Sequence, residues 1–280
     1  MAQASFILFW FSIALYIAAT VLYGYQFVLK RSKVGFWARA HVGAGFICQT
    51  LSIGANSIYH GGTQLTGANQ LMLASWAMVL MYFVMEHLIK IKIYGAFLVP
   101  VAVFFMGASE ILAALNPASP NEVMADPLLQ SGLVAFHVGL IVFANAGFII
   151  GAISSGIYLF QEGKLKTRRS NIITRRLPSL TTLQMIARRT ISIAFPVYTS
   201  GLLLGILRAV SARVPEWWFD MRIMGSGLVW LVFGAYLVLV YRNNASNRTS
   251  SWVALGGFVM VIIVAIIARS VPIGFHVFGR

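Results

Sequence analysis

Residues 131–160 read SGLVAFHVGLIVFANAGFIIGAISSGIYLF, thirty residues without one Asp, Glu, Lys or Arg. About 20 predominantly apolar residues are enough for a helix to cross the hydrocarbon of a bilayer, where every backbone polar group must be satisfied within the segment. The stretch therefore predicts a transmembrane helix, and the rest of the chain repeats the pattern. Of its 280 residues, 59% are hydrophobic and 10% charged, with a mean hydropathy of +0.81. A soluble domain carries roughly a quarter charged residues. With so few, this chain would have too little polar surface to cover itself in water, and lipid is the solvent that stabilises it.

Segments that meet the length requirement run approximately over 5–29, 37–59, 70–90, 93–115, 131–160, 189–211, 223–241 and 252–271. The expectation is an all-α, polytopic integral membrane helical bundle of about eight transmembrane helices, a single transmembrane domain over 1–280. Gly61-Gly62, Asn116-Pro117, Pro178-Ser179, Pro215 and Asn243-Asn244 punctuate the intervals as loops do. The first residues lack a basic region and a small-residue cleavage site, so Phe6 to Leu29 reads as a retained span rather than a removed signal peptide. The one cysteine, Cys48, allows neither a disulfide framework nor a CxxC thiolate site.

Basic residues set the expected topology. Lys30, Arg31, Lys33, Arg39, Lys90, Lys92, Lys164, Lys166, Arg168, Arg169, Arg175, Arg176, Arg188, Arg189, Arg242 and Arg248 fall on one side of an eight-span chain. The other side keeps Arg208, Arg213, Arg222, Arg269 and Arg280, with five of the seven acids. By the positive-inside rule the first side is cytoplasmic and both termini are extracytoplasmic. The expected location is the bacterial plasma membrane or an equivalent energy-transducing membrane. Topology and attraction to anionic headgroups account for the net charge of +14 without a nucleic-acid partner.

The sequence has no GxxxxGK[ST], HExxH or GxSxG. The histidines carry more. His60, His137 and His276 fall at outer span ends, His41 and His87 at inner ends. Two imidazoles from different helices can take both axial positions of a haem iron, whereas a lone interfacial histidine needs only headgroups or water. His41 and His87 lie at similar depth, about one turn in from their span ends, and are candidates for a second, inner haem. The stretch Arg213-Val-Pro-Glu-Trp-Trp-Phe-Asp-Met-Arg222 reads either as an interfacial aromatic belt or as a platform. As a platform, Trp217, Trp218, Phe219 and Asp220 would meet a porphyrin, with Arg208, Arg213, Arg222 and Arg269 near its propionates.

The order of these pieces resembles the haem-handling membrane proteins of cytochrome c biogenesis, the CcsA/ResC/CcmC type with its tryptophan-rich WWD loop. Phe136-His137 precedes a basic loop; then come a span, the Trp-Trp-Phe-Asp loop, two further spans and Gly274-Phe275-His276. Ile157-Tyr-Leu-Phe-Gln-Glu-Gly-Lys-Leu-Lys166 followed by Leu177-Pro-Ser-Leu180 looks like that family's YL…E…LK…LPSL stretch. Trp230, ten residues after Asp220, and Gly95-Ala-Phe-Leu-Val-Pro100 match as well. The resemblance implies a bundle that holds non-covalent, b-type haem at its outer face between His137 and His276, which serve as the metal ligands. It also implies a ResB/CcsB-like membrane partner or a redox complex, and apocytochrome c as recipient.

The chain departs from the pattern in its aromatic motif, where the upstream Trp-Gly is also missing, and in the span that follows. Phe219 stands where the family has Trp before Asp, and Val238 follows Tyr236-Leu237 where full synthetases carry a histidine. It is closest in pattern to the HemX/YpjD-like branch. With no CxxC to handle apocytochrome thiols, the chain alone is expected not to be an enzyme, and at most part of a haem-attachment system. Three readings stay open at this stage: a haem-binding cytochrome c assembly protein, a haem b-carrying anchor subunit of an electron-transfer complex, and a haem-free HemX-like regulatory adaptor.

Overall fold

The computed structural model describes residues 1–29, 32–60, 66–89, 94–115, 132–167, 174, 176–242 and 246–270. These residues form eight long helices and no strand. They are α1 (Ala2–Leu29), α2 (Ser32–Tyr59), α3 (Gly67–Ile89), α4 (Gly95–Leu115), α5 (Gly132–Lys166), α6 (Leu180–Ser211), α7 (Met221–Tyr241) and α8 (Asn247–Ser270). A 3₁₀ turn, Trp217–Phe219, lies between α6 and α7.

Seven of the eight are long and apolar enough to cross a membrane; the exception is α2. At 28 residues α2 has the length, about 42 Å at 1.5 Å per residue. Among the polar residues that lower its hydropathy, Gln49, Thr50 and Ser52 bond to α1 or α3. Helices also outrun their apolar segments. The sixth begins at Leu180, nine residues before the apolar run, because Ser179 caps it by accepting from Thr182 N. The 35 residues of α5 span about 52 Å, so its last turns carry Glu162, Lys164 and Lys166 past roughly 30 Å of hydrocarbon.

The chain divides into two compact units, Met1–Ser131 and Gly132–Val277. In the first, α1 and α2 form an antiparallel pair joined by polar contacts. Ser5 and Ser52 each donate to the other's carbonyl, Ser12 donates to Gly45 O at 2.9 Å, and Tyr16 donates to Gln49 Oε1 at 2.9 Å. Gln49 then reaches α3 at Met72 O. In lipid there is no hydrophobic drive between helices, so small residues and polar contacts set the pairing. Gly45 and Gly95 serve this close approach: a Cβ at either would collide with the ring of Tyr16 or Tyr23.

In the second unit α5 and α6 pack antiparallel along their lengths, and one register links Gly151 to Ile191, Ile141 to Gly201 and His137 to Gly205. The core is aromatic. Phe148 of α5 stacks on Phe233 of α7 with centroids 3.7 Å apart, and Tyr198 of α6 tilts against Phe148. Trp230 of α7 donates to Thr199 Oγ1 at 2.9 Å and packs on Phe195. Gly225 and Gly257 let α8 come up against α7.

Candidate functional site

His137 lies in the second turn of α5, and the antiparallel register brings it opposite the end of α6. Its Nδ1 is 2.7 Å from Gly201 O. A carbonyl only accepts, so Nδ1 carries the proton in this hydrogen bond. The ring lies where a Cβ of Gly205 would be, with Cε1 2.6 Å from that position. Backbone carbonyl to imidazole N–H is the arrangement that fixes tautomer and ring orientation in a metal-ligating histidine.

Gly201, Gly205 and Arg208 recur at i, i+4 and i+7, one face of α6. Arg208 is therefore one turn nearer the helix end than the imidazole, on the same face. Its Nε is buried and makes no hydrogen bond among the described residues. Beyond α6 the chain turns sharply: Arg213 and Glu216 have φ of 54° and 50°, a left-handed backbone that side chains adopt at a cost of about 1 kcal/mol or more. These turns deliver Trp217–Asp220. Trp218 and Phe219 are 53% and 59% exposed, whereas Asp220 is 1% exposed. The Asp220 carboxylate accepts from Arg222 N and Ile223 N at 2.9 and 3.2 Å and so caps α7. The aspartate holds the loop against the helix while its two aromatic neighbours face outward.

The second unit thus has two chemically distinct ends. One carries His137, Arg208 and the aromatic loop. At the other, Glu162 of α5 receives Lys166 at 2.8 Å and Arg248 of α8 at 3.9 Å, and Arg188 of α6 lies over Tyr241 of α7. His276 and the side chain of Arg269 lie outside the described residues.

In the first unit an ion pair and two hydrogen bonds link α1, α2 and α3. Arg39 of α2 contacts Glu86 of α3 at 3.1 Å, Tyr82 donates to Glu86 Oε2 at 2.6 Å, and the Tyr82 and Tyr23 hydroxyls are 2.5 Å apart. His41 is two residues beyond Arg39, about 200° round the helix. Its Nδ1–H donates to Trp37 O within α2 at 2.8 Å. His87 is exposed beside Glu86, and His60 packs against Tyr59 at the far end of α2. Among the described residues no cluster of three or more His, Cys, Asp or Glu could hold a metal ion. The Arg39–Glu86–Tyr82–Tyr23 chain went unread in the sequence, although a Glu four residues after a Tyr inside a span signals it. Gly201 and Gly205 also went unread, although small residues four apart mark close helix approach.

Comparison with known proteins places this geometry. Protein HemX of Brevibacillus brevis is 26% identical over 253 residues, covering 90% of this chain and 91% of that protein. Cytochrome c biogenesis protein CcsA of Guillardia theta is 24% identical over 246 residues, 82% of this chain and 81% of its own length. The protein of the same name from Prochlorococcus marinus (strain MIT 9303) is 26% identical over 232 residues, 73% and 72% of the two chains. The family model described as cytochrome c assembly protein matches residues 65–276, from the start of α3 past α8. The chain is a multi-pass membrane protein belonging to the cytochrome c assembly protein family.

Proposed function

We propose that the protein holds one non-covalent, b-type haem at the His137 end of its second unit and presents it to a membrane partner during cytochrome c assembly. In this reading His137 and His276 would hold the haem iron, Trp217, Trp218 and Phe219 would form the apolar platform, and Arg208 and Arg269 would meet the propionates. Bound haem supplies the porphyrin chemistry, which is the cofactor's own. The chain's residues bind and orient: Gly201 O fixes the imidazole tautomer, and Asp220 holds the loop to α7. The Nδ1–Gly201 hydrogen bond carries the reading, because it orients the His137 ring as such bonds orient metal-ligating histidines, one turn from Arg208 with its buried Nε. The basic end of the unit faces the cytoplasm and the haem end the outside. A ResB/CcsB-like subunit and apocytochrome c are the partners proposed.

His41 and His87 are interfacial in this reading, since Arg39 rather than His41 meets Glu86. An absorption spectrum and a pyridine haemochrome assay on detergent-purified protein test the proposal. The expected ratio is about one haem per chain, unchanged in a His41→Ala, His87→Ala double variant. Haem is expected to be lost in His137→Ala and partly restored by added imidazole, which would supply the missing nitrogen ligand. A colourless parent protein, or a His137→Ala variant with unaltered haem content and spectrum, overturns the proposal in favour of a haem-free adaptor or a different site.

A further inference from the structure

We infer that the basic end of the second unit contains a site for the phosphate headgroup of an anionic phospholipid, in the groove where α6, the end of α7 and the start of α8 meet. Gln184, Arg188 and Ser192 recur every four residues on α6 and share one face. That face looks into the groove. Gln184 Nε2 donates to Asn247 O and Ser251 Oγ of α8, both at 2.9 Å. One turn further along, the Arg188 guanidinium lies over the Tyr241 ring, 4.0 Å from its centroid. A turn beyond that, Ser192 Oγ and the Tyr241 hydroxyl are 3.0 Å apart. Arg189 follows Arg188 on α6 and Arg242 follows Tyr241 on α7, and all three arginines are exposed.

Cations outnumber acids here without being neutralised. Among the described residues of this end the carboxylate is Glu162, and Lys166 and Arg248 occupy it. No described acid pairs with Arg188, Arg189 or Arg242. A guanidinium held over an aromatic ring is already positioned, and its remaining N–H groups suit the oxygens of a phosphate diester. Basic pockets between transmembrane helices at headgroup depth suit phospholipid phosphates. The surroundings favour a lipid over a soluble anion: exposed Ile193 follows Ser192 into the apolar part of α6, and exposed Trp252 sits one turn into α8 from Arg248. This inference is independent of haem, which the proposed function puts at the opposite end of the unit.

The test is native mass spectrometry of the full chain in detergent, with dioleoyl phosphatidylglycerol added and dioleoyl phosphatidylcholine as zwitterionic reference. The parent is expected to retain phosphatidylglycerol preferentially, and Arg188→Gln to lower its affinity about five- to ten-fold. Lys164→Gln removes the same charge from the same end but off the groove, and is expected to change affinity by less than about two-fold. Tyr241→Leu keeps every charge and removes the ring under Arg188, so it should also weaken binding; it carries the test if Arg188→Gln elutes as aggregate. Millimolar inorganic phosphate should leave the lipid bound. Equal losses in Arg188→Gln and Lys164→Gln would reduce the site to diffuse attraction. Full displacement by phosphate would make it a soluble-anion site, and no preference in the parent would remove it altogether.

Discussion

The imidazole of His137 occupies the space beside Gly205 that any other residue's Cβ would fill. Gly205→Ala must therefore push the ring away or break its bond to Gly201 O. If His137 ligates haem, that displacement should lower haem affinity by about 10- to 100-fold, as loss of an orienting contact does at metal sites. A shift of the absorption bands toward a high-spin form should accompany it. An alanine variant that keeps the parent's spectrum and haem content would detach the glycine from the site. Asp220 makes a second residue-scale case, since its carboxylate is both buried and the cap of α7. Asp220→Ala should cost about 1–2 kcal/mol of stability, read as a lowered midpoint of thermal unfolding in detergent. Asp220→Asn retains the accepting oxygen and should recover most of that loss. Equal destabilisation by the two would show that charge, not capping, is what the position supplies.

At the scale of elements, the ends of α1, α2 and α3 are tied by Tyr23, Arg39, Tyr82 and Glu86, one hydrogen-bonded chain across three helices. Glu86→Ala strips an acceptor from a buried tyrosine and a partner from Arg39, and should cost about 1–3 kcal/mol. Glu86→Gln keeps an acceptor for Tyr82 and should cost less. A Glu86→Ala variant as stable as the parent would show that the chain is dispensable to packing. The same elements show what the sequence disclosed and why. Seven spans and the loop from Arg213 to Arg222 were legible because hydropathy and aromatic composition are local properties. So was α2 by length, although its polar face toward α1 dilutes its apolar signal. Pairing across helices was not legible: depth alone drew attention to His41 and His87, and nothing local in the sequence announces that Arg39 meets Glu86. The tautomer of His137 was equally hidden, because it depends on a carbonyl 64 residues away. The left-handed backbone at Arg213 and Glu216 had no glycine to announce it.

For the molecule as a whole, most of the described basic residues of the second unit gather at one end. Lys164, Lys166, Arg188, Arg189, Arg242 and Arg248 lie where α5 and α7 finish and α6 and α8 begin. His137, Arg208 and the aromatic loop lie at the other end. Loop charge decides which end stays in the cytoplasm, because translocating Lys and Arg is disfavoured while Asp and Glu contribute little. The expected orientation puts Thr167 inside and Glu216 outside, both exposed and so accessible to a reagent. In a Cys48→Ser background that removes the native thiol, Glu216→Cys in intact cells should react with a membrane-impermeant maleimide. Thr167→Cys should react only after permeabilisation. The reverse pattern would place the aromatic loop and His137 in the cytoplasm. A haem held there would face the wrong compartment for extracytoplasmic cytochrome c assembly, so the orientation experiment also bears on the proposed function. Labelling of both positions in sealed cells would instead indicate mixed insertion, which the charge asymmetry between the two ends argues against.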